Sequence, residues 1–392
     1  MQLKEENMKL KKMLALFLCA AMLVVPLSGC NGDKEDTSPD EPSVSSAPSD
    51  DAPDNYIGTG IDYDAAFEKF APDTVMIAAG EFEVTWAMLF FLLRSNLNSL
   101  ISSGVELSDL SLPMPDGSTY AEALLTFSVD NALQYIAFEH GAMVLGVTLS
   151  EEEQEFMVES FENMMEMMGT EELLLKLLKS QYGIYDLELF KHLIYIDYLP
   201  LAIFFDLYGQ NAEFLSDEKI AEFTAGEGYL MAKHILRVKT EDGDDTPRTE
   251  IEGILRQLVD YGGDDFVSFF DELMFEHSED PGALAMFPDG YLFQSGDMED
   301  PFFEATLALE IGALSDIVET DFGYHIILRL PLNFDIIPIR SIIMGEESTL
   351  RLITAMNMFD ALLSEWRESI SPVLTAEFES LDLAALFSAS ED

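Results

Sequence analysis

The chain has 392 residues, with 20 Lys and Arg against 74 Asp and Glu, for a formal net charge of −54. That balance argues against nucleic acid and anionic lipid surfaces as partners, because both would be repelled; it leaves cationic clients or a simply solvated acidic exterior. The length allows two domains of about 100 to 200 residues each, and the only cysteines are Cys19 and Cys30.

At the N-terminus Lys9, Lys11 and Lys12 precede an apolar stretch over residues 13–26 and then Leu27-Ser28-Gly29-Cys30, the pattern of a secretion signal. The apolar stretch is shorter than the roughly 20 residues a membrane span needs. Leu-Ser-Gly-Cys resembles the lipobox of bacterial lipoproteins. That resemblance implies removal of residues 1–29, diacylation of Cys30 with palmitate-type chains, and a lipid anchor on the extracytoplasmic face of the cell membrane. Without its four Lys and two Glu the mature chain carries −56. Cys19 leaves with the signal, so neither an intrachain disulfide nor cysteine catalysis is expected. Residues 30–55 are rich in Ser, Pro, Asp and Glu, which predicts an acidic disordered tether.

Residues 74–83, TVMIAAGEFE, predict two short strands around Ala79-Gly80, and Thr85 then caps a long apolar helix over residues 86–102. Arg94 and Asn96 interrupt that helix, which favours burial in a soluble bundle over a membrane span. From residue 120 to about 208 the periodicity is helical. Ser150-Glu151-Glu152-Glu153 has capping-box spacing and opens a helix to Met168. Gly169 stops it, Thr170 starts another that ends before Tyr182-Gly183, and a further helix contains Pro200. Met157, Met164, Met165, Met167 and Met168 could form an adaptable client surface, but their spacing favours ordinary core packing.

A short helix begins at Ser216, and residues 229–238 read as a strand. Pro247 and Arg248 start a helix to about Asp260, Asp264 or Asp265 caps another to Phe275, and Pro301 lies near the first turn of a third that ends around Leu309. Residues 314–319 and 325–330 read as strands joined by a turn at Asp321-Phe322-Gly323. These elements make an α+β module of roughly 100 residues. Residues 347–370 then form an amphipathic helix with Phe359, Leu362, Leu363 and Trp366 on one face, expected to pack back on the N-terminal bundle.

Several chemistries lack their residues. There is no helical His-x-x-x-His, no usable cysteine for zinc, no Gly-x-Ser-x-Gly elbow and no Gly-rich phosphate loop. No metal or cofactor is expected. Carboxylates are too common here for any pair to signal a glycosidase.

Six blocks, in order, resemble the parvulin-type peptidyl-prolyl isomerases. They are Ala232-Lys233-His234-Ile235-Leu236, Ser278-Glu279-Asp280-Pro281-Gly282, Gly290-Tyr291-Leu292-Phe293, the stretch Gly296 to Glu304, Leu309 to Ser315, and Thr320 to Ile327. The resemblance implies a four-stranded antiparallel sheet surrounded by helices. It gives His234 and His325 as side-by-side central histidines and Asp280 as the polar group near the reacting peptide. Met298 and Phe302 become the walls of a proline pocket, Glu299 a polar neighbour of the substrate backbone, and Phe322 a neighbour of the second histidine. Two departures stand out. Pro288-Asp289-Gly290-Tyr291 replaces the usual Gly-Asp-Leu-Gly and alters one pocket wall. The acidic loop at residues 240–245 lacks the basic residues of phospho-directed members, so no preference for phosphoserine-proline is expected.

The whole layout is similar to the PrsA-like foldase lipoproteins and the related SurA chaperones. That resemblance implies a parvulin domain (229–332) inserted in an all-helical chaperone domain formed by residues 56–228 and a returning C-terminal helix within 333–392. It also implies a foldase that binds unfolded exported polypeptides and isomerises their X-Pro bonds. A holdase that uses the parvulin fold only for binding is the alternative. A solute-binding lipoprotein would need two α/β lobes, which the helical stretch does not supply. A homodimer is left open, since the sequence does not reveal the oligomeric state.

Overall fold

The computed structural model describes residues 61–388 apart from 106–109, 241–243, 344 and 346–347. The signal, Cys30, the tether and part of the acidic loop lie outside the described residues. In chain order the elements begin α1 (Tyr63–Phe67), β1 (Val75–Ala79), β2 (Phe82–Thr85), α2 (Trp86–Ser102), α3 (Tyr120–Leu145), α4 (Glu151–Met168), α5 (Glu171–Tyr182) and α6 (Leu187–Tyr208). There follow α7 (Asp217–Thr224), β3 (Leu230–Val238), α8 (Thr246–Asp260), α9 (Phe266–His277), α10 (Pro281–Ala285), β4 (Tyr291–Phe293) and α11 (Asp300–Ala308). The last are β5 (Val318–Glu319), β6 (Gly323–Leu330), α12 (Ile339–Ile343), α13 (Leu350–Ser369), β7 (Val373–Leu374), α14 (Ala376–Glu379) and α15 (Leu383–Leu386). The chain divides into two units, one built from residues 61–203 and 362–388, the other from Phe204–Ala361.

In the first unit the helix starts follow their caps. The Thr85 side chain accepts from Met88 N, and Ser150 and Glu153 form a reciprocal capping box. The polar residues on α2 are only partly satisfied from neighbouring segments, since Arg94 Nε and Nη1 and Asn98 Oδ1 are buried without a hydrogen-bond partner. Asn96 Nδ2 donates to Ser128 Oγ at 3.1 Å, while Arg94 donates to Ser180 O and lies over the Tyr63 ring. Buried Trp86, Phe90 and Leu93 share one core with Phe378, Leu383 and Phe387 from the far end of the chain. That end is also tied by backbone and side chains. Strand β7 adds to β1 in the sheet order β2-β1-β7, and Thr375 Oγ1 donates to Val75 O at 3.0 Å. Arg367 pairs with Asp130 at 2.6 Å, and Trp366 lies so close over Gly141 that a Cβ there would come within 2.1 Å of its ring. Of the α4 methionines, Met164, Met165 and Met168 pack against the core, whereas Met167 is 72% exposed.

In the second unit an antiparallel sheet has the strand order β4-β3-β6-β5. Its core takes Ile251, Ile254 and Leu258 from α8, Phe270 and Leu273 from α9 and Phe302 from α11, against Ile235, Ile326 and Leu328 of the sheet. The expected strand at residues 314–319 is reduced to β5, with a single bridge between Leu314 and Leu328 before it. The reason is local. The Ser315 hydroxyl accepts from Ile327 N at 2.8 Å, taking an amide that a regular ladder would give to a backbone carbonyl. Among the described residues the C-terminal helix is Leu350–Ser369, the expected start at Glu347 lying outside them, and α9 runs two residues past Phe275. Elements α1, α10, β4, α12, β7, α14 and α15 are additional to those read from the sequence.

Candidate active site

The register of β3 on β6 builds the centre of the site. His234 lies opposite Ile327 and Leu236 opposite His325, so the two histidines project from the same face, diagonally, two positions apart. Their rings lie at 15° to one another, and Nδ1 meets Nδ1 at 3.1 Å. On its outer side His325 Nε2 lies 2.8 Å from Thr320 Oγ1, and His234 Nε2 lies 2.6 Å from Asp280 Oδ2. Hydrogen-bond accounting fixes a consistent set of tautomers. The Thr320 hydroxyl donates to His325 Nε2, His325 Nδ1–H donates to His234 Nδ1, and His234 Nε2–H donates to the Asp280 carboxylate. Each of the four imidazole nitrogens along this line then has one partner.

Burial and charge support that arrangement. His325 is held down to about 3, chiefly by burial, so it stays neutral at physiological pH. Burial alone would push the Asp280 carboxyl up. Hydrogen bonds from His234, Tyr291 and the Gly282 N–H outweigh it, and Asp280 lies well below the usual carboxylate range.

The sequence-derived residues take distinct places. Phe302, buried on α11, sets its ring edge-on to His234 and His325, with centroids at 5.1 and 5.4 Å. Met298 packs half-buried against the same core. Glu299 is exposed at the N-cap of α11, with no side-chain capping bond. Phe322 is joined to the histidines through Thr320, whose Oγ1 accepts from Phe322 N at 3.2 Å, while its ring is 62% exposed. Sequence reasoning assigned no role to Thr320 or Tyr291. Tyr291 opposes Ala232, the same-face neighbour of His234, and its hydroxyl donates to Asp280 Oδ2 at 2.7 Å. The departure at residues 288–291 was the available signal. His277, two residues before Glu279, contributes its backbone carbonyl to Arg237.

Among the described residues no group of His, Cys, Asp and Glu has the arrangement of a metal site, and no helix is long and apolar enough to cross a membrane. A separate open depression runs along α8 beside Glu252, Leu255, Arg256, Val259 and Asp260 and includes none of the site residues.

A four-stranded antiparallel sheet with paired histidines, a carboxylate and an aromatic wall is the arrangement that the resemblance to parvulin-type isomerases implies. Residues 234–330 match the family model described as Rotamase, the PPIC-type PPIASE domain. Over a longer stretch the chain is similar to "Foldase protein PrsA" of Halalkalibacterium halodurans, at 30% identity over 225 residues covering 57% of this chain and 62% of that protein. It is also similar to "Foldase protein PrsA" of Bacillus subtilis, at 31% identity over 34% of this chain and 42% of that one. The chain thus aligns with less than two thirds of the length of these relatives. A solved structure, "Crystal Structure of PrsA from Bacillus subtilis", aligns over 76% of this chain and 91% of that one at 19% identity, with a TM-score of 0.23.

Proposed function

We propose that the chain is an extracytoplasmic foldase, tethered through lipid on Cys30, that holds unfolded exported polypeptides and isomerises their X-Pro bonds at His234, Asp280 and His325. The observation that carries this reading is the continuous line Thr320–His325–His234–Asp280 beneath the Phe302 ring. In this reading residues 229–332 are the isomerase domain, and residues 56–228 with 333–392 hold the client. The exposed Phe127, Val144, Val158 and Met167 offer that holding part apolar contacts.

The chemistry needs no nucleophile. An X-Pro bond turns slowly because rotation breaks amide resonance, at a cost of about 20 kcal/mol. Met298 and Phe302 grip the proline ring and exclude water from its carbonyl, which favours the twisted, less polar amide. The ionised Asp280, beside that carbonyl, disfavours the negative charge that planarity places on its oxygen. Glu299 flanks the client backbone, and the exposed Phe322 flanks the mouth of the site.

The test is cis-to-trans isomerisation of a short proline peptide by the mature chain. The expected result is a rate above the spontaneous one, with kcat/KM lowered roughly tenfold in Met298→Ala through loss of apolar contact to the ring. A rate no higher than the spontaneous one, with suppression of client aggregation intact, would replace this reading by the holdase.

A further inference from the structure

We propose that Tyr291 is a positioning residue of the isomerase site, its hydroxyl locking the Asp280 carboxylate in one orientation so that Asp280 works as a fixed negative charge and not as a mobile base. This inference rests on the isomerase reading above.

Three donors converge on Asp280. Oδ2 accepts from His234 Nε2 and from the Tyr291 hydroxyl, while Oδ1 accepts from Gly282 N at 2.9 Å. A carboxylate offers about four acceptor sites. Three are taken, and turning the group would break all three bonds together. A carboxylate so held has little freedom to swing toward a substrate proton, but its charge stays at one place relative to the histidines.

The surrounding chain is shaped to admit the tyrosine. Gly290 has φ +112, and a Cβ there would press on Ala232 O at 3.1 Å; glycine lets β4 lie alongside β3 where Tyr291 pairs with Ala232. At Gly282 a Cβ would lie 2.3 Å from the Tyr291 oxygen, so the hydroxyl occupies space that only glycine leaves open. The ring itself is braced by Phe287 at 4.5 Å and edge-on to His234 at 5.4 Å. The hydroxyl also remains a donor. Burial, then its hydrogen bond to Asp280 and the charge there, push its ionisation well above the ordinary tyrosine value. Tyr291 therefore cannot share the proton traffic; it can only hold.

Tyr291→Phe removes one oxygen and keeps the ring contacts. With the full chain and a proline peptide, kcat/KM is expected to fall on the order of tenfold, the worth of one hydrogen bond to an ionised group. The acid limb of the pH profile is expected to move to higher pH, because losing a donor to the carboxylate favours its protonated form. In an Asp280→Ala background, Tyr291→Phe is expected to cause no further loss, since its effect passes through that carboxylate. Gly282→Ala, which displaces the hydroxyl, is expected to reproduce the shifted limb. Equal losses with and without Asp280, or an unmoved acid limb in both variants, would overturn the proposal. A second readout does not depend on turnover. The chain has five histidines, so 15N-histidine labelling can follow the His234 ring as Asp280 titrates. A wild type without activity sinks the isomerase reading alone. An Asp280-linked step at the same pH in wild type and Tyr291→Phe sinks the positioning role alone.

Discussion

Acid should loosen the second unit through His325. This buried imidazole is held down to about 3, against an ordinary value of 6.5, chiefly because burial disfavours its charged form. The unfolded chain therefore binds a proton between these values that the folded chain refuses, and stability falls as pH drops through 6.5 toward 3 and is flat above that window. Between pH 7.5 and pH 4.5 the linkage amounts to about 3 kcal/mol, a factor of roughly a hundred in the opening constant. Hydrogen exchange of β6 amides, read by mass spectrometry and corrected for intrinsic exchange at each pH, measures that opening. His325→Gln lowers protection at neutral pH but removes the titrating group, so its protection should depend far less on pH than that of the wild type. Parallel pH dependence in the two proteins would refute the assignment, because the many surface carboxylates are common to both.

Gly141→Ala drives a methyl into the ring of Trp366 and should destabilise the first unit by about 1 to 3 kcal/mol, the usual cost of overpacking. Both tryptophans, Trp86 and Trp366, belong to this unit, so urea unfolding followed by fluorescence reports it directly; an unchanged midpoint would contradict the packing. Cys30→Ser should move the protein from the membrane fraction to the soluble one without altering isomerase activity. Continued membrane retention would remove the lipid anchor from the proposal.

What was legible in the sequence depended on how local its cause was. Thr85, Ser150, Thr170, Ser216 and Asp265 each sit at a helix start and accept a backbone N–H three residues on, so one side chain and its neighbours decide the element. Strand β4 has three residues, all buried, and no alternation to read; it exists because Ala232 offers an edge and Gly290 allows the approach. Strand β7 has two exposed residues and is a strand only because β1, some 300 positions earlier, supplies its partner. The same distinction holds at the site. His234, Asp280, Met298, Phe302 and His325 stand in blocks whose resemblance carries a role; Tyr291 stands in one too, but gains its partner from a strand register that no local pattern encodes.

The return of the C-terminal segment has a kinetic consequence. Thr375 bonds to Val75 across 300 residues, a span whose closure is slow for a searching chain. Within the second unit, Phe204 and Phe359 meet with ring centroids 5.6 Å apart. Once that unit has formed, roughly half of the long loop is already bridged, which saves only about 0.6 kcal/mol of closure entropy but delivers both ends of the remaining chain to one place. The second unit is thus expected to fold as an early nucleus. The core around Trp86, made near the beginning of synthesis, must wait for Phe378, Leu383 and Phe387 before it can close.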